Sequence, residues 1–278
     1  MKAKEFLYLL GMRPRPRTYA TQVVTFHLPR DGEVQYARWL HPGETPKVIR
    51  QEAVDELRRF IQPGDVAVDI GAHTGDSTIP LALAAGPAGT VLALEPNPYV
   101  FRVLEQNAAL NSGKVRIVPL MFAATAQPGD VTFQYSDAGY CNGGLHPGIA
   151  RWRHGHAFDL TVRGENLAAY LDRHHPQLAG RIRFLKVDTE GYDAQVIASL
   201  RELIERQRPF IKAEMYRQLN LAQRERLYDL LVGLDYDVFV VESEERYMRE
   251  RLEKGSLMSR AHYDVFGVPR PERSRGPA

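Results

Sequence analysis

The sequence predicts a Rossmann-like α/β domain: a doubly wound sheet of seven mostly parallel strands with helices on both faces. Three observations predict it. Apolar segments of strand length alternate with helix-like segments from Val66 to Val268, which is the rhythm of repeated βα units. The first of these strands runs into a glycine-rich turn, Gly71-Ala72-His73-Thr74-Gly75, with a helix-like segment behind it, as in open sheets that bind ligands at their strand ends. The second strand ends on an acid, Glu95, 24 residues after Gly71.

Each element follows in order. The amino terminus carries a short apolar stretch, MKAKEFLYLLGM, too short for a secretory core or a bilayer span and better read as an amphipathic helix. Tyr19 to Trp39 suggests short strands, and Val48 to Ile61 an amphipathic helix stopped by Pro63-Gly64. Residues 1–62 are thus expected to form an extension packed on a main domain of residues 63–268. Strands are expected at Val66–Ile70, Thr90–Glu95, Val115–Leu120, Arg183–Asp188, Phe210–Met215, Asp237–Val241 and Tyr263–Val268. Between them, Ser77–Ala85, Pro98–Asn111, Tyr192–Arg206 and Leu221–Leu234 repeat apolar residues at three- and four-residue spacing. Pro98 suits a first helical turn, where its missing N–H costs nothing. Phe133 to Leu160 breaks the rhythm, being rich in Gly, His and aromatics; a loop of that length is usually functional, so it is expected to form a substrate-side insertion. Residues 269–278 read as a flexible tail.

Composition narrows the classes of partner. The 278 residues include 36 basic and 34 acidic ones, a net charge of +2, which gives no global field to draw a polyanion. No nucleic acid and no membrane partner is expected. Cys141 is the single cysteine, which excludes an intrachain disulfide and a cysteine-cluster zinc site and suits a reducing, cytoplasmic setting. Oligomeric state is left open.

The site is expected at the carboxyl ends of the strands. Asp69 lies two residues before Gly71. A carboxylate there would repel a pyrophosphate but attract a cationic amino group, which favours S-adenosylmethionine (SAM) over NAD. Glu95 stands where a carboxylate accepts both hydroxyls of a ribose. Alternatively, Asp69 caps a turn and Glu95 is a solvated strand end.

The run from Pro63 to Asn111, with its Asp-Ile-Gly-Ala turn, its Glu95-Pro96-Asn97-Pro98 element and its paired Asn107 and Asn111, resembles the FkbM family of SAM-dependent methyltransferases. Lys186-Val187-Asp188-Thr189-Glu190-Gly191 is similar to a second block of that family, and Arg208-Pro209 through Glu214 to a third. The resemblance spans about Val48 to Val268 and implies a class I methyltransferase fold. It further implies that Asp69, Gly71, Ala72, His73, Gly75 and Ser77 surround the methionine portion of SAM. Glu95, Pro96 and Asn97 would hold ribose and adenine, with Ala123 and Ala124 near the adenine. His73 departs from the pattern, since the family usually has Asn there; its protonation would make cofactor affinity depend on pH.

Methyl transfer from a sulfonium mainly needs alignment, and a hydroxyl nucleophile also needs its proton removed. Asp188, Lys186 and Glu190 are the leading candidates for that chemistry, because a lysine and an acid on an apolar strand are costly to bury. The plain alternative is a structural Lys186–Asp188 ion pair with Glu190 in a helix's first turn. His146 leads His154 and His156 among loop histidines that could act as base. A metal-assisted version, a minor option, would use Asp188 and Glu214 as oxygen ligands for magnesium. The expected reaction is O-methylation of a hydroxyl on a saccharide or polyketide-type small molecule. The rivals are a nucleic-acid methyltransferase, for which only the Arg13, Arg15, Arg17 cluster speaks, and a NAD-dependent oxidoreductase on the same fold.

Overall fold

A computed structural model describes residues 16–135, 139–141, 143–144 and 158–271. Its centre is an eight-stranded sheet. The parallel strands are β3 (Val66–Ile70), β4 (Thr90–Leu94), β5 (Ile117–Leu120), β10 (Ile182–Val187) and β11 (Phe210–Met215), joined by β12 (Tyr236–Val240), β13 (Glu250–Arg251) and β14 (Tyr263–Pro269). Across the sheet the order is β13-β12-β14-β11-β10-β3-β4-β5, and β14 runs antiparallel to both of its neighbours. All seven expected strands are present; β13 is an added two-residue edge. The chain winds outward from β3 through β4 to β5, then returns to β10 on the other side of β3. That reversal opens a crevice at the carboxyl ends of β3 and β10.

Every residue of β3 and of β4 is buried, as strands covered on both faces require. One face carries Val68, Ile70, Leu92, Leu185 and Ile211 under α4 (Leu167–His174), α5 (Pro176–Ala179), α6 (Asp193–Ser199), α7 (Arg201–Gln207) and α8 (Leu221–Gly233). The opposite face carries Ala67, Val91, Phe184 and Phe266. It lies under α1 (Gln51–Leu57), α2 (Thr78–Ala85), α3 (Pro98–Leu110) and an antiparallel hairpin, β1 (Thr21–Leu28) with β2 (Gly32–Trp39). Helix α2 is apolar and buried all round, because α1 covers the side turned away from the sheet.

Asn107, in the last turn of α3, and Asn111, which caps its carboxyl end, bind β2 to the main domain. The Asn107 carboxamide accepts from Ala37 N–H at 2.6 Å and donates to Ala37 O at 3.1 Å; Asn111 does the same with Gln35 at 3.0 and 2.7 Å. Four helical residues rise about 6 Å, close to two strand residues at about 6.7 Å, so two side chains stand in for a missing strand. Asn107 also donates to Thr74 O at 2.7 Å, and Tyr36 Oη lies 2.6 Å from Thr74 Oγ1. The hairpin therefore steadies the glycine-rich turn.

Four expectations are corrected. The segment Tyr192–Arg206 forms two helices, α6 and α7, because Ser199 Oγ donates back to Val196 O at 2.7 Å and Leu200 leaves the helical path. The helix expected over Val48–Ile61 is confined to α1. The stretch from Phe133 to Leu160 begins and ends in regular strand: β7 (Gly129–Tyr135) pairs antiparallel with β9 (Phe158–Glu165), and with β6 (Ala123–Ala124) and β8 (Gly143–Gly144) they make a second sheet. Within it, residues 136–138, 142 and 145–157, with His146, His154 and His156, lie outside the described residues, as do Arg13, Arg15, the amino-terminal apolar stretch and residues 272–278. Finally, the expected tail starts late: Pro269 ends β14, and Arg270 Nε bonds Asp237 at 2.8 Å.

No helix among the described residues is long and apolar enough to cross a membrane.

Candidate active site

A cavity of about 690 Å³ opens at the carboxyl ends of β3, β4 and β10. Gly71, His73, Ser77, Glu95, Pro96, Asn97, Ala123, Lys186, Asp188 and Glu190 line it. Asp69, Ala72 and Gly75 do not; they sit behind the wall. Ala72 packs with Ala93, Phe101 and Leu104. Gly71 is needed for close approach of the two central strands, since a Cβ there would stand 1.9 Å from Asp188 O, and its φ is 79°.

Asp69 is wholly buried, and its oxygens are already engaged. Oδ2 accepts from Ser77 Oγ and Thr78 Oγ1, both at 2.7 Å, while Oδ1 lies 3.1 Å from Lys186 Nζ. The expectation that Asp69 meets an incoming amino group is therefore replaced: the cavity-facing acid beside it is Asp188, whose side chain is 44% exposed and lies 3.3 Å from the same ammonium. Lys186 also donates to Gly71 O at 3.3 Å. Burial works against charge on Lys186, but Asp69 and Asp188 outweigh it and hold its pKa above the ordinary lysine value. For Asp188, burial pulls upward, and Lys186 with Lys212 overcomes it, so the carboxyl ionises below its usual range.

Glu95 is buried at the cavity wall, where Oε1 accepts from Asn97 N–H at 2.8 Å and Oε2 from His73 N–H at 3.1 Å. Burial raises its pKa, opposed by His73 and by those two bonds. Each oxygen keeps a second lone pair. Pro98 starts α3 and Asn97 caps it, accepting from Tyr99 N–H at 3.0 Å and donating to Tyr140 O at 2.8 Å. Leu94, Pro96, Phe122, Ala123 and Ala124 supply an apolar stretch of the same wall.

Glu190 lines the cavity in a left-handed conformation, φ 56°. Burial first, and then the charge of Asp188, lifts its carboxyl above the usual range. Behind it, Asp193 accepts from Thr189 N–H at 3.1 Å, Thr189 Oγ1 at 2.7 Å and Glu214 N–H at 2.9 Å. Burial pushes Asp193 up to about 7, and burial with Asp188, Asp193 and Glu190 raises Glu214 as well. Glu214 does not line the cavity, and among the described residues Asp188 and Glu214 form no converging group of three ligand atoms. The magnesium arrangement expected from the sequence is not assembled.

Sequence reasoning missed a second buried lysine. Lys212 pairs in register with Lys186 on the neighbouring strand, bonds Glu244, lies 3.1 Å from Asp264 and sits 5.3 Å from the Tyr247 ring centroid. Burial opposes its charge, but Tyr247, Glu244 and Asp264 keep its pKa well above normal. A lysine in an apolar strand was the available signal, as at Lys186. Glu44, Lys47 and Glu244 also line the cavity, from loops with no periodic pattern to betray them.

The donor set fits SAM. A buried carboxylate with free lone pairs suits a ribose diol, the apolar wall suits an adenine, and the wall's acids suit a cationic methionyl end while opposing a pyrophosphate.

Residues 69–245 match the Methyltransferase FkbM domain. No curated protein matches the chain. Among solved structures, a methyltransferase FkbM from Methylobacillus flagellatus is 14% identical with a TM-score of 0.45, over 77% of this chain and 50% of that one. The chain thus spans half the length of that protein. A SAM-dependent O-methyltransferase from Thermotoga maritima is 12% identical with a TM-score of 0.41, over 91% and 79% of the two chains. Aeropyrum pernix fibrillarin, in complex with natively bound S-adenosyl-L-methionine, is 12% identical with a TM-score of 0.43, over 91% and 97%. On the family match, which covers more than half of its length, the chain belongs to the FkbM family of SAM-dependent methyltransferases.

Proposed function

We propose that the protein O-methylates a hydroxyl of a small natural product, of saccharide or polyketide type, in the cytoplasm. SAM, when bound, supplies the methyl group from its sulfonium. Glu95 would accept the ribose hydroxyls, Leu94, Phe122, Ala123 and Ala124 would border the adenine, and Asp188 would take the amino group. Its lowered pKa suits that last role, since a carboxylate held ionised binds a cation well and is a weak base.

The observation that carries the reading is Glu190, a cavity-facing carboxyl raised above its usual range beside an ionised Asp188. A hydroxyl must lose its proton as it is methylated, and a base works best when its pKa approaches the working pH. The proton passes from the acceptor hydroxyl to a Glu190 oxygen. Lys186 holds Asp188 and the Gly71 turn in place.

Transfer of label from methyl-labelled SAM should be followed over saccharides, polyketide-type alcohols and RNA. Label on a hydroxyl, lost in Glu190→Gln with SAM binding kept, supports the reading. Label on RNA, or undiminished transfer in that variant, overturns it.

A further inference from the structure

We propose that the cavity holds a second site, for a zinc-type divalent cation, formed by Glu44, His73 and Cys141. The three residues come from the loop after β2, the glycine-rich turn and the segment after β7. All three line the cavity, and one ligand atom from each lies within 4.8 Å of the other two. Cys141 Sγ is 3.6 Å from Glu44 Oε2, and His73 Nε2 is 3.9 Å from the same oxygen. A tetrahedral zinc with Zn–S near 2.3 Å and Zn–N or Zn–O near 2.0 Å separates its ligand atoms by about 3.3 to 3.6 Å. The Cys141–Glu44 pair already has that separation, and the His73 ring would have to move toward the other two by roughly 0.5 to 1 Å to close the set.

A second, independent observation points to a ligand. Both ring nitrogens of His73 and Oε1 of Glu44 are buried without a hydrogen bond, and the Glu44 side chain is only 6% exposed. Lys47 Nζ stands 3.8 Å from Glu44 Oε1, beyond hydrogen-bond distance. Buried polar atoms are almost always satisfied, and an imidazole with neither nitrogen bonded is costly in an otherwise well-paired wall. A cation on Nε2 and on the carboxylate would satisfy that nitrogen and Glu44 together.

The donor types select the metal. A mixed set of a soft thiolate, an imidazole and a carboxylate suits the borderline zinc ion, whereas magnesium and calcium take all-oxygen sets. With three protein ligands, the fourth position is left to the cavity, as in sites that bind a water or a substrate oxygen. His73 has φ 48°, a left-handed conformation that Asn adopts readily, so the backbone alone does not call for an imidazole there. The inference does not rest on the methyl-transfer reading, because the metal would bind with SAM and acceptor both absent.

The test is a titration of the tag-free, metal-stripped full chain with cobalt(II), followed by absorbance, and with zinc in competition with a chromophoric chelator. The proposal expects one equivalent of cobalt with a thiolate-to-metal charge-transfer band, and release of the Cys141 thiol proton on binding. C141S should abolish the band, while E44Q and H73N should weaken zinc binding by about tenfold or more; His73→Asn suits the left-handed backbone and should fold. Absence of stoichiometric binding overturns the site. So does binding that lacks the charge-transfer band, or that all three folded variants retain.

Discussion

Replacing Lys186 by Met keeps the length of the side chain and deletes its charge. The ammonium it removes is buried, 8% exposed, between a fully buried Asp69 at 3.1 Å and Asp188 at 3.3 Å. Asp69 keeps the Ser77 and Thr78 hydroxyls on Oδ2 but loses the Lys186 ammonium on Oδ1. Breaking a buried pair from one side costs about 3 to 5 kcal/mol, and the surviving hydroxyls place this case near the lower bound. At about 2 to 4 °C per kcal/mol for a chain of this size, Lys186→Met should melt about 6 to 12 °C lower. Adding Asp69→Asn removes the stranded charge, so the double variant should lose at least about 1 kcal/mol less than the two single losses together. Urea and thermal unfolding of all four proteins measure the cycle. A Lys186→Met protein as stable as wild type, or strict additivity, would refute the view that Lys186 neutralises the floor of the cavity.

Further outcomes follow from the same geometry. Asn107→Ala strands the buried Ala37 N–H and should cost about 1 to 3 kcal/mol, with faster hydrogen exchange in β2 than in β10. Gly71→Ala meets a carbonyl at 1.9 Å and should lose about 4 kcal/mol or more, seen as little soluble protein or a sharply lowered Tm. Glu190 acts when ionised, and its carboxyl is held high, so the single-turnover rate should fall as pH drops through a value above the ordinary glutamate range. Glu190→Gln should remove that limb and cost about 10² to 10⁴ in rate.

Much of the fold was legible because the central strands, buried on both faces, read as mainly apolar runs between glycine and proline stops. The turn and acid at Gly71 and Glu95 were legible for a related reason, since strand ends fix where ligand contacts fall. What stayed hidden depends on contacts between distant segments. Asp69 was placed at the correct strand end, but its pairing with Lys186, 117 residues later, turned it from a wall residue into a support. Asn107 and Asn111 were noted as a pair, yet their task depends on the backbone of Gln35 and Ala37. In the second sheet, β6 and β8 escaped notice because they are two residues long, too short for a periodic signal.

The account turns on Glu95 and the cavity beneath it binding the adenosine of SAM. Calorimetric titration of the wild type and Glu95→Ala with S-adenosylhomocysteine, and of the wild type with NADH, tests this most directly. Binding of one equivalent to the wild type, weakened about tenfold to a hundredfold in Glu95→Ala through loss of about 1.5 to 3 kcal/mol of charged hydrogen bonding, with no heat from NADH, is the predicted result. Equal affinity in the folded variant, or binding of NADH in place of S-adenosylhomocysteine, would contradict it.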